Sequence, residues 1–393
     1  MIGLPLLLLA TVVRPPARAC GLCHPDVRVQ FEQSVHRAEG IDCTSCHGGN
    51  AAAATVAAAH TGSFRGRPAR RAIPGLCASC HADIARMRSY NLPVDQYALY
   101  QTSQHGLRLA RGDERVAICT DCHGVHEIRR PDDPASGVFK RNIPKTCGRC
   151  HADAALMGRY GLKGNPYADY AGSVHGKALL EQGNATAPDC SRCHGAHGAA
   201  PPGVGDVDKV CGQCHAATRT FFLAGPHKAA MDAAGLPECA SCHDHHRIEP
   251  AAAALLDTVC LKCHDATSPQ LEIAATFRTL FSGASDEIDR ARQIVDRAAE
   301  IPLYVEDYRA RLEEAHTALL ESYPAMHALE TTRVEPFTQR ARSIALEIQS
   351  EVNGKIEGRK WRRVGLLVFW FYLLLTVAIL VRFRSRAVAG APR

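Results

Sequence analysis

The chain has 393 residues, 22% of them charged, with 46 Lys and Arg against 40 Asp and Glu for a formal net charge of +6. So slight a basic excess over this length marks no nucleic-acid-binding surface. The composition departs from that of an ordinary globular chain at cysteine, of which there are 18.

Taken in chain order, residues 2–13 (IGLPLLLLATVV) are apolar but too short to span a bilayer, and Arg14, two prolines and Ala17-Arg18-Ala19 follow. The last three make an A-x-A cleavage pattern, so residues 1–19 are expected to be a secretory signal peptide.

From there to His264 all 18 cysteines fall into nine copies of Cys-x-x-Cys-His, with none left over. The pairs are Cys20 and Cys23, Cys43 and Cys46, Cys77 and Cys80, Cys119 and Cys122, Cys147 and Cys150, Cys190 and Cys193, Cys211 and Cys214, Cys239 and Cys242, and Cys260 and Cys263. This is the attachment pattern of c-type haem: two thiols form thioethers to the porphyrin and the following His reaches the iron. Zinc knuckles or disulfides need no histidine directly after the second cysteine, whereas here every motif has one. Nine covalent haems are expected in residues 20–268. At roughly 27 residues per motif the chain alone buries too little apolar surface to offset its ordering entropy, so stacked macrocycles are expected to serve as the core.

Eight of the motifs belong to a fourfold repeat. Each copy opens on aromatic-x-x-small-x-His: FEQSVH ending at His36, YQTSQH at His105, YAGSVH at His175 and FLAGPH at His227. A first motif follows (CTSCHGGN, CTDCHGVH, CSRCHGAH, CASCHDHH) and then a second (CASCHAD, CGRCHAD, CGQCHAA, CLKCHDA). The motif at Cys20 leads the array.

Nine histidines are proximal by position: His24, His47, His81, His123, His151, His194, His215, His243 and His264. Distal ligands are expected from the repeat: His36, His105, His175 and His227 from its opening element, and His126, His197 and His246 three residues beyond a proximal His. The latter group is expected to serve a neighbouring haem. The first copy has Asn50 at that last position, and His60 is expected to replace it. For the ninth iron the candidates are His245, His316 and His327, with His316, on the edge of an apolar helical stripe, the expected ligand. Met87, Met157, Met231 and Met326 are further possibilities without a spacing argument.

The Cys-free segment 269–356 has helical periodicity, with one stripe at Ile288, Ala291, Val295 and Ala298 and another at Phe337, Ala341, Ile344, Ile348 and Val352. Three or four antiparallel helices punctuated by Pro302, Pro324 and Pro336 are expected, Pro336 in a first helical turn, and then a hinge at 353–358. Val364 to Val381 is uncharged, so 361–383 is expected to be a transmembrane helix. With the signal peptide setting orientation, the haem domain lies on the periplasmic side of the inner membrane and 384–393 in the cytoplasm.

The expected fold is thus mainly α with extensive loops: a multihaem domain, an antiparallel helical tail and one C-terminal membrane helix. The motifs and extra histidines over residues 20–264 resemble the multihaem c-type cytochromes. That resemblance implies an electron relay in anaerobic respiration between redox partners, a membrane quinol-oxidising complex on one side and a periplasmic, outer-membrane or extracellular acceptor on the other. Membrane-tethered quinol dehydrogenases of this kind carry an N-terminal anchor and four or five haems, which this chain does not match. The rival is an enzyme of the nitrite, hydroxylamine or tetrathionate type with one open haem; those enzymes often use Cys-x-x-Cys-Lys, which is absent here. Two propionates per haem would outweigh the +6 charge, so the basic residues read as counter-charge.

Overall fold

The computed structural model describes residues 20–199 and 210–389. The expected signal peptide and residues 390–393 of the expected cytoplasmic tail lie outside the described residues. Every regular element among the described residues is a helix, most of them short and joined by loops, followed by three long ones. The chain divides into two compact units, Met1–Val210 with Cys239–Pro250, and Cys211–Glu238 with Ala251–Arg393. The motifs at Cys211 and Cys260 therefore group with the helical tail, and the other seven form the first unit.

In the first unit the short helices are the motifs themselves. Ile73–His81 and Ile143–His151 each start with a proline in the first turn, where its missing N–H costs nothing, and each ends on the proximal histidine. Cys43–His47 and Cys190–His194 are capped by Asp42 and Asp189, whose carboxylates accept backbone N–H groups at the helix start. Side chains fill little of this unit: its buried apolar clusters are Leu109, Val116 and Ile118, and Tyr170, Leu179 and Ala187.

The second unit contains a conventional core. Three helices, Gln270–Ala299, Glu306–Ala325 and Thr331–Ala389, pack together as an antiparallel bundle. Ile288, Val295, Val334, Ile348 and Val352 are fully buried between them, and Phe281 meets Tyr323 at 5.0 Å between ring centroids. Ion pairs from Arg311 to Glu347 and Glu351, each 2.9 Å, lie along the rim.

Two details of the tail differ from expectation. Pro336 lies in the second turn of the third helix, which begins at Thr331. No hinge interrupts that helix at 353–358: it continues for 59 residues through Gly354 and Gly358 into the apolar segment. The glycines are tolerated because their neighbours are held: Ile356 packs on the core, Lys355 lies over the Tyr308 ring at 4.8 Å, and Arg359 donates to Pro302 O at 2.9 Å. This is the one helix among the described residues long and apolar enough to cross a membrane, and its apolar part is exposed in the folded chain.

Candidate metal centres

The distal-histidine elements of the second and third copies are each built as a small cradle. Ser103 and Ser173 are almost fully buried; each donates its hydroxyl to the carbonyl of Tyr100 or Tyr170 and accepts the N–H of Gly106 or Gly176. Those glycines directly follow His105 and His175, and a Cβ at either would come within 2.0 Å or 1.9 Å of the same tyrosine carbonyl. The tyrosines also donate their hydroxyls to Ala117 O and Pro188 O, just ahead of the Cys119 and Cys190 motifs. The cradle thereby fixes a distal histidine and an attachment site together.

Successive repeats clasp through one recurring hydrogen bond. The N–H of the residue before the distal histidine donates to the carbonyl two residues past the next copy's extra histidine: Val35 to Ile128 O, Gln104 to Ala199 O and Val174 to Ile248 O, at 2.8, 3.5 and 3.0 Å.

The histidines then meet in pairs. His36 faces His81, His105 faces His151 and His227 faces His264, with ring centroids 6.0, 6.1 and 6.1 Å apart. His47 faces His126, His123 faces His197 and His194 faces His246, at 6.3, 6.1 and 5.8 Å. His24 faces His60 at 6.4 Å. An imidazole nitrogen bound about 2 Å from a metal on each side puts the two ring centroids roughly 6 Å apart. The spacing thus leaves room for one metal atom on the line between the rings, and the residues fit a six-coordinate haem iron.

The pairing has a register. In the first, second and fourth copies the distal histidine of the opening element faces the second motif of its own copy. A histidine three residues past a proximal one faces the first motif of the preceding copy. His60 obeys the second rule, serving the leading motif, so the Cys20 site is matched and the fourth copy is the one without a successor.

At several of the paired imidazoles burial favours the neutral form, which has a lone pair for metal. It lowers His36, His105, His126 and His227, each helped by the facing histidine, and takes His123 and His246 down to about 4. The Nδ1 of His47 lies 2.8 Å from Gly66 O; a carbonyl only accepts, so the proton sits on Nδ1 and Nε2 faces outward as the donor atom.

The attachment thiols of neighbouring motifs approach one another. Cys77 hydrogen-bonds Cys119 and Cys147 hydrogen-bonds Cys190, contacts that with burial push the Cys77 and Cys190 thiols up. Cys43 lies beside Cys20 and Cys46 beside Cys80. No group of three or more His, Cys, Asp or Glu among the described residues is placed to hold a metal ion by itself.

The remaining expected residues fall as follows. His175 lies in the Val174–Gly176 turn, His215 directly precedes the Ala216–Ala224 helix, and His243 ends the Ala240–His243 helix. His245 is exposed, with its ring nitrogen 3.1 Å from Asp244. His316, the expected ninth ligand, is exposed on the second tail helix. Met87, Met157 and Met231 are buried on their helices. Sequence reasoning missed Arg70, which grips the Cys119 motif through Asp121 at 2.6 Å and the carbonyls of Glu114 and Val116. An arginine so far along the chain from its partner leaves no local signal.

A family model described as cytochrome c3 matches residues 35–152, and one described as doubled CXXCH motif matches residues 182–220. No curated protein and no solved structure matches the chain.

Proposed function

We propose that the chain is a multihaem c-type cytochrome that relays electrons through nine haems without substrate chemistry of its own, a reading that the cytochrome c3 and doubled CXXCH matches support. Haem, when bound, supplies a one-electron iron couple. The chain's residues would hold it by two thioethers and a proximal histidine at each motif, with the facing histidine as a second nitrogen donor at the paired sites. The observation that carries this reading is the set of facing histidines at 5.8 to 6.4 Å, since an iron held from both sides has no position left for a substrate. The close approach of attachment thiols, Cys20 to Cys43, Cys46 to Cys80, Cys77 to Cys119, Cys122 to Cys147 and Cys147 to Cys190, supports a relay that follows chain order over the first six motifs.

The partners are redox proteins: a membrane quinol-oxidising complex as donor and a periplasmic or outer-membrane protein as acceptor. The protein is held in the inner membrane by residues 361–383, with its haems on the periplasmic side after removal of residues 1–19. Electron paramagnetic resonance of the oxidised protein, with a haem count per chain, tests the reading. Low-spin ferric signals from nine haems are expected. A stoichiometric high-spin signal that responds to nitrite or hydroxylamine would overturn it in favour of an enzyme with an open haem.

A further inference from the structure

We propose that Arg70 sets the reduction potential of the Cys119 haem, by neutralising a carboxylate that the second copy carries inside its own attachment motif. The inference deepens the relay reading above and rests on it.

In the first three copies a carboxylate caps the helix of the first motif. In the first and third it belongs to the residue before the first cysteine: Asp42 accepts the Ser45 N–H at 3.1 Å and Asp189 the Ser191 N–H at 2.8 Å. Among the described residues neither of these carboxylates forms an ion pair. The second copy has Ile118 at that place. Its carboxylate has moved into the motif, to Asp121 directly ahead of Cys122, and still accepts the Ile118 N–H at 2.8 Å. The cap is kept, and a negative charge is added next to an attachment cysteine, which capping does not require.

Arg70 answers that charge from the preceding copy. Its guanidinium meets the two carboxylate oxygens at 3.2 and 2.6 Å, and donates as well to Glu114 O at 2.8 Å and Val116 O at 2.9 Å. Four hydrogen bonds hold the planar fork in one orientation. The residues in the corresponding place of the second copy, Lys140 and Arg141, donate to the carbonyls of Ala185 and Leu180 in the third copy and, among the described residues, form no ion pair. Carbonyls therefore suffice to clasp one copy to the next, and the Arg70–Asp121 pair is an addition particular to the Cys119 motif. Arg149, from the spacer of the Cys147 motif, donates to Asp121 O and brings a second guanidinium to the same residue. The Arg70–Ala72 turn also leads straight into Ile73–His81, the helix of the Cys77 motif, so the position of one motif fixes the charge on the next.

Reducing a haem iron adds one negative charge, so a cation held nearby favours the reduced form and an anion the oxidised form. Arg70 and Asp121 are each about one-third exposed, which weakens this effect without removing it.

The test is a redox titration of the haem-loaded full chain, followed by electron paramagnetic resonance, with haem per chain counted. Arg70→Gln should move one haem to a lower potential and Asp121→Asn one haem to a higher one, each by about tenfold in the reduction equilibrium, or about 59 mV for one electron. The double variant should return close to the parent, and Arg70→Lys, which keeps the charge, should stay there. Asparagine still caps a helix, so Asp121→Asn is the readout if Arg70→Gln loses haem. Parent potentials in Asp121→Asn, or in an Arg70→Gln protein that keeps its full haem count, overturn the inference. The parent's own spectrum judges the relay reading separately: unmoved potentials over nine low-spin haems sink only the inference, whereas a high-spin signal that responds to nitrite or hydroxylamine sinks the relay reading whichever way the potentials move.

Discussion

At the scale of single residues, ligand placement depends on atoms that never touch the metal. Gly176 adopts an ordinary helical conformation, yet a methyl group there would lie 1.9 Å from Tyr170 O, so Gly176→Ala must displace the turn bearing His175. One haem should pass to high spin in that variant, read by the same resonance measurement, while the other signals keep their intensity. Tyr170→Phe removes only the hydroxyl bond to Pro188 O and should cost about 1 kcal/mol in denaturant unfolding with no spin change. After three first motifs the chain turns through a glycine with positive φ, Gly48, Gly124 and Gly195, and after the fourth through Asp244 at φ 65°. Its carboxylate accepts the following N–H of His245, a local bond that lets aspartate take a glycine position.

At the scale of elements, the two kinds of helix draw stability from different sources. The motif helices are too short to persist in isolation. The tail helices bury continuous apolar stripes, and Ile348→Ala should destabilise the bundle by about 3 kcal/mol, seen as a lower unfolding midpoint by circular dichroism. The spectrum of the haems in the first unit should not change. This difference also decides what was legible in the sequence. The nine motifs, the repeat's additional histidines and both tail stripes announce themselves by spacing, because the repeat and helix geometry impose a period. Which histidine faces which does not: His60 pairing with His24, and His126 with His47, depends on how one copy docks on the next, through backbone bonds such as Val35 to Ile128 O that carry no side-chain signature. His316 was favoured because it lies beside an apolar stripe, but in a helix the edge of a stripe can face either way, and here it faces solvent. The hinge expected from Gly354 and Gly358 fails for a similar reason, since the partners that keep the helix intact, Tyr308 and the Pro302 carbonyl, are distant in sequence.

At the scale of the whole molecule, the full chain produced without haem attachment should keep the helical signal of the bundle and lose ordered structure in the first unit, which buries few apolar side chains. Amide hydrogen exchange would show this as protection confined to residues 270–352. Removing residues 361–393 should move the loaded protein from the membrane fraction to the soluble fraction with its haem count intact. The unbroken third helix of the tail also bears on the direction from which electrons arrive. From Thr331 to Arg363 at the edge of the apolar segment, the helix rises about 50 Å. No Cys-x-x-Cys-His motif occurs along it. Tunnelling decays exponentially with distance, so this bundle is an insulator: it ties the Cys260 site to the bilayer mechanically while isolating it electrically. Electrons released at the apolar segment would not reach the Cys260 site along this helix.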